Sequence, residues 1–166
     1  SVIPEESDVY LIVVPTPFKG NHEPDVSYVE AATRSVVPYL KEGDLFVIES
    51  TSPVGTTESM KRLIYEMRPE LDGRIHIAYC PERVLPGNVI HELVHNDRVI
   101  GGIDEASAEK AADFYRYFVK GELHKTDSKT AGTDNSKNGS FGNAYNDNCG
   151  KYKNDLKRCT DKVCEE

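Results

Sequence analysis

The sequence lacks the features that mark three common classes of protein. It has 20 Lys and Arg residues against 28 Asp and Glu residues, a net charge of -8, whereas binding to nucleic acid requires a basic surface. No apolar run approaches the roughly 20 residues that a membrane-spanning helix needs. The N-terminus has no basic segment followed by a long apolar stretch, so we expect no secretory signal. The sequence therefore predicts a protein with no nucleic-acid partner and no membrane partner.

Cysteine is scarce as well. The four cysteines are Cys80, Cys149, Cys159 and Cys164, and no two of them form the C-x-x-C pair that is typical of zinc sites. We therefore expect no metal site, and a reduced protein of the cytoplasm. Cys80 lies close to an apolar run, where a free cysteine commonly behaves as a small buried residue.

What the sequence does contain, over residues 1–126, is an alternation of short apolar runs and helical patterns. The apolar runs predict four strands, near residues 9–14, 45–49, 75–79 and 98–101. The helical patterns predict three helices, over residues 25–41, 57–67 and 107–119. This alternation is typical of an α/β fold, and we expect a parallel Rossmann-like sheet of about four strands with flanking helices.

Two segments interrupt this pattern. Residues 81–97 hold two prolines and no clean helical period, which predicts a long functional loop. After residue 126 the composition changes, and Asn, Gly, Asp, Ser and Lys dominate residues 132–153. Such a stretch buries too little apolar surface to offset the entropy of ordering it. We therefore expect a polar tail over residues 127–166, in which apolar spacing predicts one short helix at 152–163.

Polar residues follow three of the predicted strands directly. Because the carboxyl ends of parallel strands form the ligand crevice of an open sheet, Thr16, Thr51 and Glu82 should share one site. A hydroxyl at Thr51, just before a helix, can bind a phosphate, a ribose or a water. A carboxylate at Glu82 could act as a general base.

Each of these residues also has a plain structural interpretation. Ser50 and Thr51 could be turn or cap residues, and Glu82 could be a loop carboxylate paired with Arg83. Thr16, held between two prolines, could simply end a strand. The pair Gly101-Gly102 is explained by a tight turn.

In combination and in this order, four motifs resemble the UDP-glucose/GDP-mannose dehydrogenase family. They are Val14-Pro15-Thr16-Pro17, Glu49-Ser50-Thr51-Ser52-Pro53-Val54-Gly55, Tyr79-Cys80-Pro81-Glu82-Arg83-Val84-Leu85-Pro86-Gly87 and Asn96-Asp97-Arg98-Val99-Ile100-Gly101-Gly102. The third motif, with Pro17-Phe18-Lys19 upstream, is most similar to the UDP-N-acetyl-D-mannosamine dehydrogenase branch. The similarity runs from about Asp8 to Thr126.

The resemblance implies an NAD-dependent enzyme that oxidises the C6 alcohol of a UDP-sugar to the carboxylate and consumes two NAD. Residues 1–126 would be the later part of the family's NAD-binding domain. The residues that it implies for NAD binding are Pro15, Thr16, Ser50 and Thr51. The residues that it implies for binding of the UDP-sugar substrate are Glu82, Arg83, Val84 and Leu85. The catalytic residues would be Thr51, near the nicotinamide and a reactive water, and Glu82 as the acid/base carboxylate.

The sequence departs from the family pattern at three points. The Gly-x-Gly-x-x-Gly turn that holds the NAD pyrophosphate does not occur in it. Asn135 and Gly139 stand at the positions of the family's catalytic Lys and Asn. The Gly-rich segment with the nucleophilic Cys does not occur either. We therefore expect a truncated dehydrogenase that is inactive alone, binds NAD weakly if at all and lacks the family dimer. The alternative is a non-catalytic fragment or engineered domain that keeps the fold.

Overall fold

The structure, a computed structural model, describes residues 4–19, 23–82 and 88–136. The strands are β1 (Val9–Ile12), β2 (Phe18–Lys19), β3 (Glu23–Pro24), β4 (Leu45–Ile48), β5 (His76–Tyr79), β6 (Arg98–Gly102) and β7 (Leu123–Asp127). The α-helices are α1 (Ser27–Val36), α2 (Thr56–Met67), α3 (Val89–His95), α4 (Glu105–Arg116) and α5 (Ser128–Ser136). Single turns of 3-10 helix follow α1 and α2, at Val37–Tyr39 and Pro69–Leu71.

The core is a five-stranded sheet in the order β1-β4-β5-β6-β7, while β2 and β3 form a separate two-stranded hairpin. Strand β4, between β1 and β5, is buried along its whole length, because its side chains alternate between two apolar layers. Phe46 and Ile48 pack with α1 and α2 on one face. Leu45 and Val47 pack with α4 on the other face. The predicted α/β fold, its four strands and its three helices are therefore confirmed, with shifts of a few residues at their ends.

The prediction that the four strands are mutually parallel is wrong for β6. Strands β1, β4 and β5 run parallel, but β6 pairs antiparallel with β5, with Tyr79 opposite Gly101. A parallel strand needs a crossover that carries the chain back across a face of the sheet. The segment before β6 contains α3, and α3 has no buried residue, so it does not pack on the sheet as a crossover helix would. The chain therefore re-enters the sheet from the edge at which it left.

The predicted loop at 81–97 also needs correction, because residues 89–95 form α3. Helix α3 places no side chain in the core, and its first two residues are exposed apolar side chains, Val89 and Ile90. A helix without a buried stripe gives no helical period in the sequence. Residues 83–87 of the same segment lie outside the described residues.

Ordered structure continues beyond the predicted boundary at residue 126. Strand β7 ends at Asp127 and pairs in parallel with β6. Helix α5 follows at once, where we predicted the start of a polar tail, and its Ala131 is fully buried in the core. The predicted helix at 152–163 and the rest of the tail lie outside the described residues.

Gly101 and Gly102 do not form a tight turn. Both lie within β6, and each is covered closely by a neighbouring element. A Cβ on Gly101 would lie 2.6 Å from the Cβ of Ala131, and one on Gly102 would lie 2.3 Å from the carbonyl oxygen of Asp104. The two glycines therefore allow α5 and the start of α4 to pack directly on β6.

Candidate functional site

A cleft of about 460 Å³ opens where β1, β4 and β5 end. It is lined by Val13, Val14, Pro15, Thr16, Glu49, Ser50, Thr51 and Glu82. The structure thus brings together the residues that the sequence placed at one edge, since Pro15, Thr16, Ser50, Thr51 and Glu82 all line this cleft. The predicted substrate residues Arg83, Val84 and Leu85 lie outside the described residues.

Hydrogen bonds between the ends of β1 and β4 fix the floor of the cleft. The Ser50 hydroxyl donates to the carbonyl oxygen of Ile12 at 3.2 Å and accepts from the backbone N–H of Val14 at 2.7 Å. The Thr16 hydroxyl donates to the carbonyl oxygen of Thr51 at 2.7 Å. Through these hydrogen bonds the buried side chain of Ser50 connects the end of β4 to the end of β1. Its predicted role in binding a cofactor stays a prediction.

Thr51 and Glu82 remain exposed at the mouth of the cleft. The backbone N–H of Glu82 donates to the carbonyl oxygen of Glu49 at 3.2 Å, which fixes the position from which its carboxylate extends. Helix α2 begins five residues after Thr51, behind Gly55 at φ 89°, a left-handed conformation that favours glycine. The exposed hydroxyl and carboxylate can therefore bind the hydroxyl groups of a ligand, and the start of α2 favours a negative charge nearby.

A buried polar cluster lies directly behind the cleft, and the sequence reasoning missed it. Arg98 Nη1 lies 3.5 Å from Glu49 Oε1, and the two side chains are 8% and 13% exposed. The Tyr115 hydroxyl donates to the same Glu49 oxygen at 2.5 Å. The Arg98 guanidinium lies over the Tyr115 ring, 4.9 Å from its centroid, and Nη1 lies 3.9 Å from the sulfur of Cys80. Glu49 lines the cleft, so it connects the cleft to this cluster.

The direction of β6 explains why Arg98 was missed. As the first residue of a parallel strand, Arg98 would lie at the edge of the sheet opposite to the cleft. Because β6 is antiparallel to β5, its first residue lies at the cleft edge instead. The sequence did contain one signal for this cluster, because Arg98 stands at the start of an apolar run. A charged side chain that is buried there needs a partner of opposite charge.

The neutral members of the cluster stay neutral over an extended pH range. Burial raises the pKa of the Cys80 thiol above its ordinary value, and the nearby Arg98 only partly opposes this effect. Burial also raises the pKa of the Tyr115 hydroxyl, and the neighbouring Cys80 and Glu49 raise it further. Tyr115 therefore acts as a donor to Glu49. The prediction that Cys80 is a small buried residue is confirmed, since it is fully buried and unpaired.

Comparison with known proteins gives the same family as the four motifs. The NAD binding domain of the UDP-glucose/GDP-mannose dehydrogenase family matches residues 2–119 of the chain. The chain belongs to this family. The matched residues contain β1, β4, β5 and β6 of the Rossmann-like sheet, so the resemblance inferred from the motifs is confirmed.

Individual members of the family are closely similar to the chain. The UDP-N-acetyl-D-mannosamine dehydrogenase of Escherichia coli (strain K12) is 52% identical over 139 residues, which cover 79% of this chain and 33% of the relative. The solved UDP-D-ManNAc dehydrogenase from Pyrococcus horikoshii has a TM-score of 0.74 at 44% identity, covering 77% of this chain and 31% of that one. The S. aureus UDP-N-acetyl-mannosamine dehydrogenase Cap5O has a TM-score of 0.76 at 41% identity, covering 80% and 33%. The chain thus spans about a third of the length of these relatives.

Proposed function

We propose that this chain provides part of the NAD-binding domain of a dehydrogenase that oxidises the C6 alcohol of UDP-N-acetyl-D-mannosamine to the carboxylate. The observation that carries the proposal is the cleft at the ends of β1, β4 and β5, where Thr16, Thr51 and Glu82 meet. Ligands of open α/β sheets bind at this edge. Relatives from Escherichia coli (strain K12) and Campylobacter jejuni, 52% and 50% identical, carry the name of this activity.

The residues present fit one end of a dinucleotide. The exposed Thr51 hydroxyl and the backbone of residues 13–16 offer hydrogen bonds to a ribose or a nicotinamide amide at the strand ends. The sequence has no Gly-x-Gly-x-x-Gly turn to hold the pyrophosphate on a helix N-terminus. We therefore assign the nicotinamide end of NAD to this cleft, with weak affinity for the 166-residue chain.

Each residue of the cleft has a task in this proposal. NAD, when bound, supplies the hydride acceptor for oxidation of an alcohol. Glu82 would accept the proton of the sugar hydroxyl, for which its exposed position at the cleft mouth is suited. Thr51 would orient that hydroxyl or a water through its own hydroxyl group. Pro15, Thr16 and Ser50 would hold the wall against which the nicotinamide end lies.

Ligand titrations followed by NMR test this assignment. We expect NAD and UDP-N-acetylmannosamine, each added to millimolar concentration, to shift amide signals of residues 13, 14, 16, 49–52 and 82. Thr51→Val and Glu82→Gln should reduce these shifts, while Glu105→Gln, an exposed position at the start of α4 near the opposite edge of the sheet, should leave them unchanged. Shifts concentrated away from the cleft would contradict the assignment.

The second candidate function is that of a domain that binds ligands but does not catalyse the reaction. Asn135 and Gly139 stand where the family has its catalytic Lys and Asn, which favours a non-catalytic domain that keeps the fold. Losing one oxyanion donor commonly costs a factor of about a hundred to a thousand in rate. We therefore expect no steady NADH formation from the 166-residue chain with NAD and UDP-N-acetylmannosamine, measured by absorbance. NADH formation that Glu82→Gln abolishes would show instead that the chain is catalytic alone.

A further inference from the structure

Helix α3 carries a pair of histidines that the proposed function does not use. The five residues His91-Glu92-Leu93-Val94-His95 lie within α3 and match the H-E-x-x-H pattern, in which two histidines at i and i+4 bind a metal ion from one face of a helix. The expectation of no metal site came from the spacing of the cysteines, whereas this signal comes from the histidines.

The two imidazoles are already side by side. Their ring centroids lie 4.1 Å apart and the rings are inclined by 16°. Two nitrogens bound to one tetrahedral ion at about 2.0–2.1 Å lie about 3.3 Å from each other. Both side chains are exposed, so the rings can turn about their side-chain bonds until two nitrogens face one ion, without disturbing the core.

A backbone contact prepares His95 as a ligand. Its Nδ1 lies 2.9 Å from the carbonyl oxygen of His91, and a nitrogen bonded to a carbonyl oxygen must carry the proton. The lone pair of a neutral ring is then on Nε2, the nitrogen that is left for a metal. Metal-binding histidines commonly donate their second nitrogen to a carbonyl group in this way, which fixes the tautomer and the orientation of the ring.

The helix itself is anchored on its other side. Leu93 and Val94 are half-buried. The Val94 carbonyl oxygen accepts from the backbone N–H of Lys120 at 2.6 Å, and the Leu93 carbonyl oxygen accepts from Arg98 Nη2 at 3.4 Å. The histidine pair therefore stands on a helix whose position is fixed by the sheet and by the segment after α4.

We propose that His91 and His95 form a surface site for one late first-row divalent cation, of the type Ni²⁺, Zn²⁺ or Cu²⁺. Imidazole suits these ions, whereas Mg²⁺ and Ca²⁺ prefer oxygen ligands. Waters complete the coordination shell. The H-E-x-x-H pattern of metallopeptidases has a third protein ligand within a cleft. In the part of the chain that the structure describes, no group of three or more such side chains surrounds a common point, so the site binds metal without peptidase chemistry.

Nickel binding by the untagged 166-residue chain tests this proposal. Calorimetric titration with NiCl₂ in a buffer that does not bind metal should give one site, and His91→Ala and His95→Ala should each weaken it at least tenfold. The double variant Ile90→His/His91→Ala keeps the number of histidines but moves one imidazole by about 100° around the helix, to about 140° from His95, and it should weaken binding to the same degree. Ile90 is 75% exposed, so this change leaves the fold intact, which the thermal unfolding midpoint checks.

A second measurement identifies the ligands directly. Ni²⁺ is paramagnetic, and at low ratios it should broaden the ring-proton signals of His91 and His95 before those of the other histidines. Binding should persist when the thiols are blocked with N-ethylmaleimide. Unchanged affinity in the three variants, loss of binding on thiol blocking, or absence of binding at millimolar Ni²⁺ would each overturn the proposal.

Discussion

At the scale of single residues, Glu49 connects the cleft to the buried cluster. The residue lines the cleft, and its carboxylate oxygen Oε1 meets Arg98 and the Tyr115 hydroxyl in a region from which water is nearly excluded. Removing one partner of a buried ion pair leaves the other charge unpaired, which is far more costly than the loss of an exposed pair. The cluster therefore fixes Glu49 in place as part of the cleft floor.

Arg98→Met tests the energy of this pair. We expect the substitution to lower the free energy of unfolding by about 3–5 kcal/mol, because it leaves the Glu49 carboxylate buried without its charge partner. The matched control is Arg34→Met, which removes an exposed i, i+4 pair with Glu30 and should cost less than about 1 kcal/mol. Urea unfolding of both variants measures the difference, and similar losses would show that the Arg98 pair behaves as a surface pair.

Ionisation of the Cys80 thiol should lower the free energy of unfolding as the pH rises above neutrality. Since burial raises the pKa of this thiol in the folded state, the unfolded chain releases its proton first, near the ordinary value of about 8.5. From about pH 8.5 up to the raised pKa of the folded state, the folded state holds more protons than the unfolded state, so its stability decreases by up to about 1.4 kcal/mol per pH unit. Cys80→Ala should flatten this slope in urea unfolding across that window. A slope that is equal in both proteins would rule out Cys80 as its source.

At the scale of elements, the contact between β6 and α5 depends on a missing side chain. A Cβ on Gly101 would lie 2.6 Å from the Cβ of Ala131 and 2.8 Å from the carbonyl oxygen of Asp127. Gly101→Ala should therefore destabilise the protein by about 1–3 kcal/mol, the usual cost of overpacking. A third close contact, with the Cα of Ser128, would measure 2.9 Å. Combining Gly101→Ala with Ala131→Gly removes one of these three clashes, so the double variant should lose less than the sum of the single losses in thermal unfolding. Strictly additive losses would contradict the contact.

Elements whose pattern is local could be predicted, and those that depend on distant contacts could not. The apolar runs of β4 and β5 are buried on both faces, so their residue types alone indicate strands. Strand β7, which reads Leu-His-Lys-Thr-Asp, is half-buried at most, and its pairing with β6 determines its structure. The direction of β6 depends on the position of α3 outside the core, and the residues of β6 themselves do not indicate it.

The candidate site divides in the same way. Thr16, Thr51 and Glu82 follow β1, β4 and β5, which are parallel, so a general rule about strand ends located them. Arg98 and Tyr115 reach Glu49 across 49 and 66 positions of the chain, through an antiparallel strand and helix α4. The spacing of these residues in the sequence does not predict that they are in contact, because only the fold brings the three side chains together.

At the scale of the whole molecule, the sheet divides the described residues into two apolar layers that meet at β4. The layer with α1 and α2 contains Phe46 and Ile48, and the layer with α4 contains Leu45 and Val47. A strand shared by both layers can open only when both are disrupted. Within the described residues β1 and β7 are the outer strands of the sheet, and β1 leaves Leu11 39% exposed. No helix in the described ranges is both long and apolar enough to cross a bilayer.

This arrangement predicts the order in which backbone amides exchange with solvent. The amides of β4 are bonded within the sheet between two buried layers, so they should exchange only through global unfolding and report its full free energy. In β1 the N–H groups on the side away from β4 have no strand partner among the described residues, and they should exchange within seconds at neutral pH. Hydrogen–deuterium exchange followed by NMR measures both sets in one experiment. Because Arg98→Met lowers the global free energy, it should accelerate the β4 amides by the same factor by which it shifts the unfolding equilibrium, and leave the outward β1 amides unchanged. If the β4 amides instead kept their rates in that variant, they would open by a local route, and the two layers would not unfold as one unit.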